Sequence, residues 1–312
     1  VCKHPLQCRK SLIGTAKATD MTYERKLQQE AELWGSEAER MAQAIPPDWQ
    51  YHRALPHNII VHGERIEAML SQIQAGMHTL ELGCASGWLT LEMARRGARA
   101  TGLDISEKSL TIARNYYATL EETLAGSAQY RFADLNHLDL PGNHYDLIAI
   151  KGTMHHLVNM PHVIETIHHA LKSGGLLWIH DILEDEKPLT VLVASALMFI
   201  LPTQLSYRAK ITGLLQFGIN APSRIKASME AEGLSPFEGA GRDHDWLALV
   251  EEQFMVERVQ AAPAVSGYIT AQLRLPDKWA LPLLRTIRSV DDILVRIHLL
   301  KSSGMTVYAR KP

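Results

Sequence analysis

The stretch HTLELGCASGWLTLEMARRGARATGLD, residues 78–104, decides the fold. Thr79 to Leu82 has the length and apolar content of a buried strand, and Gly83 to Gly87 is a turn of small residues. Trp88 to Arg96 follows as a helix, and Ala98 to Asp104 as a second strand ending in a carboxylate. Together they make one βαβ unit, with two parallel strands side by side. Its chemistry lies at the strand ends. The turn lets a ligand approach the main chain, and an acid about twenty residues further on can accept hydrogen bonds from a ribose. The unit reads as a nucleoside site, although turns of this composition also occur in sheets that bind nothing.

A dinucleotide fingerprint needs Gly-x-Gly-x-x-Gly, the second glycine letting a pyrophosphate touch the main chain and the third allowing close helix packing. Ala85 and Trp88 occupy those two positions, so the pyrophosphate cradle is poorly made.

At 312 residues and 46% hydrophobic, the chain can bury a large core as one elaborated domain or two small ones. A net charge of −2 supplies no global basic field, so nucleic acid is not an expected partner. Cys2, Cys8 and Cys84 have no metal-ligand spacing, and so sparse a set suits a reducing compartment. The first twenty residues hold basic groups but no apolar run of signal-peptide length. A cytoplasmic location is expected, with residues 1–20 a mobile extension ahead of Met21.

Outward from the central unit, residues 22–44 are rich in Glu, Gln, Ala and Lys and read as helix, ended by Pro46 and Pro47. His62 to Ile73 reads as a second helix with Ile66, Met69, Leu70 and Ile73 on one face. Between them Trp49, Tyr51, His52, His57 and His62 form an aromatic and histidine cluster, fit to line a pocket but equally to pack. Downstream, Ser106 caps a helix expected to reach about Glu122, and Gln129 to Ala133 is a third strand followed by Asp134-Leu135. Tyr145 to Lys151 is a fourth, nearly all apolar as in a parallel sheet, opening into Gly152-Thr153-Met154-His155-His156-Leu157. A helix over Met160 to Leu171, a stop at Lys172-Ser173-Gly174-Gly175 and a fifth strand over Leu176 to Asp181 follow.

Glu81-Leu82-Gly83-Cys84-Ala85-Ser86-Gly87, Asp104, Asp134, the His155-His156-Leu157 turn and the Leu171 to Gly175 turn, in this order, resemble the motifs of class I S-adenosylmethionine (SAM) methyltransferases. The resemblance covers residues 75 to 182. It implies an α/β Rossmann-like fold: a seven-stranded, mostly parallel sheet in the order 3-2-1-4-5-7-6, the last strand antiparallel, with helices on both faces. It implies SAM as cofactor. It puts Glu81, Gly83, Ala85 and Gly87 around the methionine part and ribose, Asp104 and Ile105 at ribose and adenine, and Asp134 and Leu135 at adenine, with Lys151 and Gly152 reaching SAM through main-chain atoms. Asp245 to Glu252, Phe254 to Ala261 and Met305 to Arg310 fit the remaining helix and two strands.

The resulting division is 1–20 extension, 21–74 N-terminal helical cap, 75–182 SAM-binding core, 183–242 helical lid insertion, and 243–312 end of the core with a second insertion at 263–303. Both insertions leave from the carboxyl edge of the sheet, where open α/β folds bind ligands. Thr190 to Leu201 is apolar on all sides, which fits burial, a lipid surface or an apolar ligand, and is too short to span a bilayer. A further helix runs through Ile211, Leu214, Leu215 and Phe217. Leu283, Leu284, Ile287, Val290, Leu294 and Ile297 recur at helical spacing, as an amphipathic helix requires.

Methyl transfer to a hydroxyl must shed a proton, and histidine suits that work. His155, then His156, are the candidate bases, although related members use this turn for shape or for SAM contacts. His155, His156 and Asp181 could also be drawn as a metal site. Cation-dependent relatives keep acids at the ends of the fourth and fifth strands, whereas this fourth strand ends in Lys151-Gly152, so no metal is expected. Arg242-Asp243-His244-Asp245 reads as a helix cap before a substrate contact. The expected function is methyl transfer from SAM to a small, largely apolar acceptor, oxygen favoured over carbon or nitrogen. Two alternatives remain: lipid methylation at a membrane surface, and a non-catalytic methyltransferase-like partner protein. Oligomeric state is not legible.

Overall fold

The computed structural model describes residues 22–48, 57, 59–182, 188–217, 235–237 and 245–312. Trp49, Tyr51, His52, Arg242, Asp243, His244 and the extension 1–20 lie outside these residues.

In chain order the elements are α1 (Tyr23–Ala44), α2 (Glu64–Leu70), β1 (His78–Leu82), α3 (Trp88–Arg95), β2 (Arg99–Asp104), α4 (Glu107–Ala118), β3 (Ser127–Phe132), β4 (Tyr145–Lys151), α5 (Met160–Ala170), β5 (Leu171–Ile182), α6 (Pro188–Ile200), α7 (Tyr207–Phe217), α8 (Trp246–Gln253), β6 (Met255–Ala261), α9 (Ser266–Gln272), α10 (Asp277–Arg296) and β7 (Gly304–Arg310). The sheet order is β3-β2-β1-β4-β5-β7-β6, with β7 antiparallel to both its neighbours. Period-two alternation explains why the strands read as continuous apolar runs. Ile148 and Ile150 face one core with Leu80, Leu82, Leu177 and Ile179. Leu147 and Ala149 face another with Met93, Trp178 and Tyr308. Because β1 pairs with both β2 and β4, the chain reverses its direction of growth there, and the carboxyl ends of β1 and β4 part into a crevice.

The boundaries differ most from the sequence reading in three places. The first helix after β2 ends at Ala118, not Glu122, because the Thr119 hydroxyl bonds back to the Tyr116 carbonyl at 2.6 Å. The segment before β1 begins as a π-helical turn over Ile59–Gly63, and α2 ends at Leu70, leaving Ile73 in the following turn. Lys172 to Gly175 does not separate helix from strand: β5 already starts at Leu171, opposite Tyr145, and the register resumes at Leu147 opposite Leu176. The residues between bulge toward the C-terminus, where Gly174 N–H donates to the Lys311 carbonyl at 2.9 Å.

The two insertions pack on each other. Arg274 N–H donates to the Pro202 carbonyl at 2.8 Å and Gln204 N–H to the Gln272 carbonyl at 3.0 Å, while Leu197 and Met198 of α6 meet Ile269, Ala280 and Leu284. Helix α9 had no counterpart in the sequence reading. On α10, Leu284 is buried, but Val290 and Ile297, assigned to its apolar stripe, are exposed, because the helix touches the body along a narrower face than its sequence offers. Helix α1 lies along α4. Gly35 permits the approach, since a Cβ there would stand 2.7 Å from Ser106 Oγ.

Candidate active site

A crevice of about 760 Å³, counting its open mouth, lies at the strand ends and is lined by Leu27, Glu30, Trp34, Gly83, Ala85, Asp104, Ile105, Asp134, Leu135, Asn136, Lys151, Gly152, Thr153, His156, Leu157 and Phe237. Its floor is the turn after β1. Gly83 is left-handed at φ 75°, and a Cβ on it would fall 2.1 Å from Thr153 Oγ1, so only glycine lets the β1 and β4 turns meet. Ala85 is also left-handed, at φ 45°. It is held there by its N–H, which donates to Asp104 Oδ2 at 2.8 Å, while Ser106 N–H donates to Oδ1 at 2.8 Å. Burial raises the Asp104 carboxyl above its ordinary value, and these main-chain donors oppose the rise. Each carboxylate oxygen can accept more than one hydrogen bond, so Asp104 can orient its own turn and still accept from a ligand hydroxyl.

Asp134 borders the crevice in a different state from the one its sequence position suggests. Both its oxygens accept the Tyr23 hydroxyl, at 2.9 and 2.8 Å. Oδ1 also accepts Asn136 N–H at 3.0 Å, and His137 Nδ1 stands 2.8 Å from Oδ2. Burial, then the Asp134 bond, pushes the Tyr23 phenol well above its ordinary value, which keeps it a donor.

The wall opposite is α1, from the expected N-terminal helical cap, although the sequence reading named none of its residues for the site. Tyr23, Leu27, Glu30 and Trp34 recur at helical spacing, which was the available signal. Trp34 Nε1 donates to Glu30 Oε1 at 2.7 Å, and Ser235 Oγ donates to Glu30 Oε2. His156 joins this group, its Nδ1 lying 3.2 Å from Ser235 Oγ and 3.3 Å from Glu30 Oε1. Burial, then the neighbouring His155, pulls the His156 imidazole down to about 4.

His155 is turned the other way. Its Nδ1 lies 2.6 Å from Asp181 Oδ1. Asp181 is buried and also accepts Thr153 N–H at 2.9 Å and Met154 N–H at 2.6 Å through Oδ2, and Ile182 N–H at 2.7 Å through Oδ1. An Nδ1–H donated to a carboxylate leaves Nε2 as the basic nitrogen.

Three of the sequence candidates, Glu81, Gly87 and His155, are not among the crevice-lining residues. The Glu81 side chain runs under the turn, where Oε2 accepts Thr90 N–H at 2.8 Å and the Thr90 hydroxyl; burial pushes it up to about 8. Gly87, at φ 82°, caps α3, and its carbonyl accepts the Tyr130 hydroxyl at 3.0 Å. Both shape the turn from behind.

The residues present fit SAM. Among the described residues no atom stands within 4 Å of where a Cβ on Gly152 would lie, which leaves the β4 turn open to a ligand. The half-buried Asp104 acid faces the same crevice as the apolar Ile105 and Leu135, as a ribose and an adenine require.

Residues 80–179 match the family described as Methyltransferase domain. Over 130 residues the chain is 30% identical to a ubiquinone biosynthesis O-methyltransferase of Pseudomonas aeruginosa, covering 41% of this chain and 55% of that protein. Over 171 residues it is 26% identical to the Sinorhizobium fredii protein of the same name, covering 53% and 63%. The chain thus spans between half and two thirds of the length of these curated relatives. A SAM-dependent methyltransferase structure from Mesorhizobium loti aligns with 80% of this chain and 97% of its own, at 22% identity and a TM-score of 0.44.

Proposed function

We propose that this chain, which belongs to the class I SAM-dependent methyltransferase family through the domain at residues 80–179, transfers a methyl group from SAM to a hydroxyl oxygen of a small, largely apolar acceptor. The observation that carries the reading is the convergence on one crevice of Gly83 and Ala85 from β1, Asp104 and Ile105 from β2, Asp134 and Leu135 after β3, and Lys151 and Gly152 from β4. In this reading the β1 turn holds the methionine part. Asp104 accepts the ribose hydroxyls, Asp134 and Leu135 meet the adenine, and Lys151 and Gly152 contribute main-chain contacts. Glu81 and Gly87 act through the shape of the turn.

SAM brings a methyl carbon activated by a sulfonium and open to in-line displacement. The chain's work is to hold the acceptor oxygen against that carbon and to remove its proton. His155, whose ring centroid lies 4.0 Å from that of the crevice-lining His156, takes the proton on Nε2, and Asp181, at Nδ1, fixes the tautomer and stabilises the imidazolium that forms. His156, pulled down to about 4 and bound to Ser235, serves the wall. The preference for oxygen is supported by this histidine–carboxylate pair and by the O-methyltransferase relatives.

Calorimetric titration with SAM tests the reading, followed by incubation with methyl-labelled SAM and fractionated cell extract. Micromolar SAM binding and a labelled apolar product are expected. Absence of SAM binding by the wild type would leave a non-catalytic partner protein as the function.

A second reading, action at a membrane surface, is supported by the first insertion. Leu192, Ile200, Leu205, Leu214 and Leu215 are exposed, and residues 188–217 contain no acid. Among the described residues no helix is long and apolar enough to cross a membrane, so contact would be by one face. Flotation with anionic and neutral vesicles decides it: protein that stays in the dense fraction with both removes this version.

A further inference from the structure

On the sheet face opposite Asp181, β4 and β5 end in a second set of titratable side chains that the transfer step leaves unused. Lys151 and His180 are register partners at the two carboxyl ends. The His180 ring stacks on Trp178 at 5.8 Å, and its Nδ1 meets Thr306 Oγ1 at 2.8 Å. His62 stands edge-on to His180, ring centroids 5.6 Å apart, and its buried Nδ1 has no hydrogen-bond partner among the described residues. The Lys151 amine lies 5.9 Å from the Trp88 ring centroid and, among the described residues, makes no ion pair.

Buried charges are ordinarily paired, because the cost of leaving water is otherwise uncompensated. The groups around Lys151 do not provide a pair. Glu81 is held by Thr90, Asp181 by His155 and its turn, and Arg65 adds positive charge while its guanidinium serves the Val61 and Ala261 carbonyls. Burial lowers the Lys151 amine below its ordinary value, against the charges of Glu81 and Asp181, which act on it through space without forming an ion pair. The His62 imidazole is pulled down to about 4 by burial and then by the Lys151 charge, and His180 shifts the same way. Lys151 also borders the crevice. A partly buried cluster of bases at the crevice, whose neighbouring acids are engaged by other partners, is a site prepared for an anion.

We propose that Lys151, flanked by His62 and His180, anchors an ionised oxygen of the methyl acceptor, so that the acceptor is an apolar body carrying an acidic hydroxyl or a carboxylate. The proposal deepens the function stated above and rests on it for the identity of the ligand as acceptor. The anion-binding site itself does not depend on SAM.

The test is an absorbance titration with 4-nitrophenol in the absence of SAM, whose spectrum reports its own ionisation. On the wild type, the bound probe should be ionised, with its apparent pKa lowered by about one unit, a tenfold preference for the anion. Lys151→Met should abolish that preference and Lys151→Arg should restore it. Nitrobenzene, which has no ionisable oxygen, should bind the wild type about tenfold more weakly, a comparison that needs no variant to fold. Benzoate identifies the source of the oxygen: competition lost in Lys151→Met extends the site to carboxylates, and no competition restricts it to acidic hydroxyls. Failure of 4-nitrophenolate to bind the wild type, nitrobenzene binding equally well, or a folded Lys151→Met protein with undiminished preference overturns the proposal. Because SAM is absent, a failure here is distinct from failure of the calorimetric test.

Discussion

Asp181 Oδ1 stands 2.6 Å from His155 Nδ1, and the same carboxylate gathers the main-chain N–H groups of Thr153, Met154 and Ile182. One buried acid therefore both builds the turn after β4 and orients the imidazole at its tip. If His155 is the base, His155→Ala should slow turnover by about 10²- to 10⁴-fold while leaving SAM affinity nearly intact. Asp181→Asn should slow turnover by a similar factor, since a neutral partner no longer stabilises the imidazolium. Single-turnover rates beside SAM titrations check both. Unchanged turnover in His155→Ala would make the pair structural.

Asp104→Ala should weaken SAM binding by roughly 1.5 to 3 kcal/mol, the range for a hydrogen bond to a charged group. The variant also strips Ala85 N–H and Ser106 N–H of their acceptor, so a lower melting temperature is expected alongside. Asp104→Asn separates the two effects, because its side-chain oxygen can still take one of those donors. Wild-type SAM affinity in Asp104→Ala would refute the ribose assignment.

Tyr23 and Asp134 set a competition. The phenol donates to both oxygens of the acid expected to meet the adenine amine. Tyr23→Phe should release that acceptor and tighten SAM binding by up to about tenfold, or 1.4 kcal/mol, within the range of a charged hydrogen bond. Calorimetry reads it directly. Weaker binding in the variant would mean that the hydroxyl belongs to the finished adenine wall.

The pH profile of stability follows from burial. His62 and His156 are each pulled down to about 4 from 6.5, and His180 moves in the same direction. Between pH 6.5 and 4 the unfolded chain binds the protons these rings refuse, so stability is lost as pH falls through that window. Glu81 has the opposite sign: pushed up to about 8 from 4.5, it contributes fully below pH 4.5 and its contribution is lost as pH rises through 8. Three histidines outweigh one carboxyl on the acid side, so for these four groups stability peaks near pH 6.5. Urea midpoints from pH 4.5 to 8 check this, and a steady rise across the range would contradict it.

Gly83→Ala should be poorly tolerated. It adds the left-handed penalty of about 1 to 2 kcal/mol to a contact 2.1 Å from Thr153 Oγ1. Ala85, at φ 45°, already bears a similar penalty, so Ala85→Gly should be neutral or mildly stabilising. Melting temperatures of the pair distinguish a steric requirement from general sensitivity of the turn.

The sheet was legible because its signals are local. The apolar run of Tyr145 to Lys151 matches β4 end to end, and a strand buried on both faces can carry little else. Where short-range competition decides, the reading slipped: Thr119 turned its hydroxyl onto Tyr116, and Leu171 entered the sheet instead of finishing a helix. Asp245 was legible as a cap, and its Oδ1 accepts Ala248 N–H at 3.2 Å. Leu27 and Trp34 were not legible as crevice residues, because a helix pattern says which residues share a face and not what that face meets.

By itself the sequence determined the βαβ unit of residues 78–104, since hydrophobic period, glycine placement and strand-end acids act over a few residues; the strand order around it was implied by the resemblance of its motifs to the methyltransferase family. Only the tertiary structure decided which side chains meet: His155 with Asp181, Tyr23 with Asp134 across 111 residues, and Ser235 with Glu30 across 205. The same holds for charge. Lys151 and Glu81 have ordinary acidities in an open chain, and it is burial by neighbours distant in sequence that moves each of them toward its neutral form.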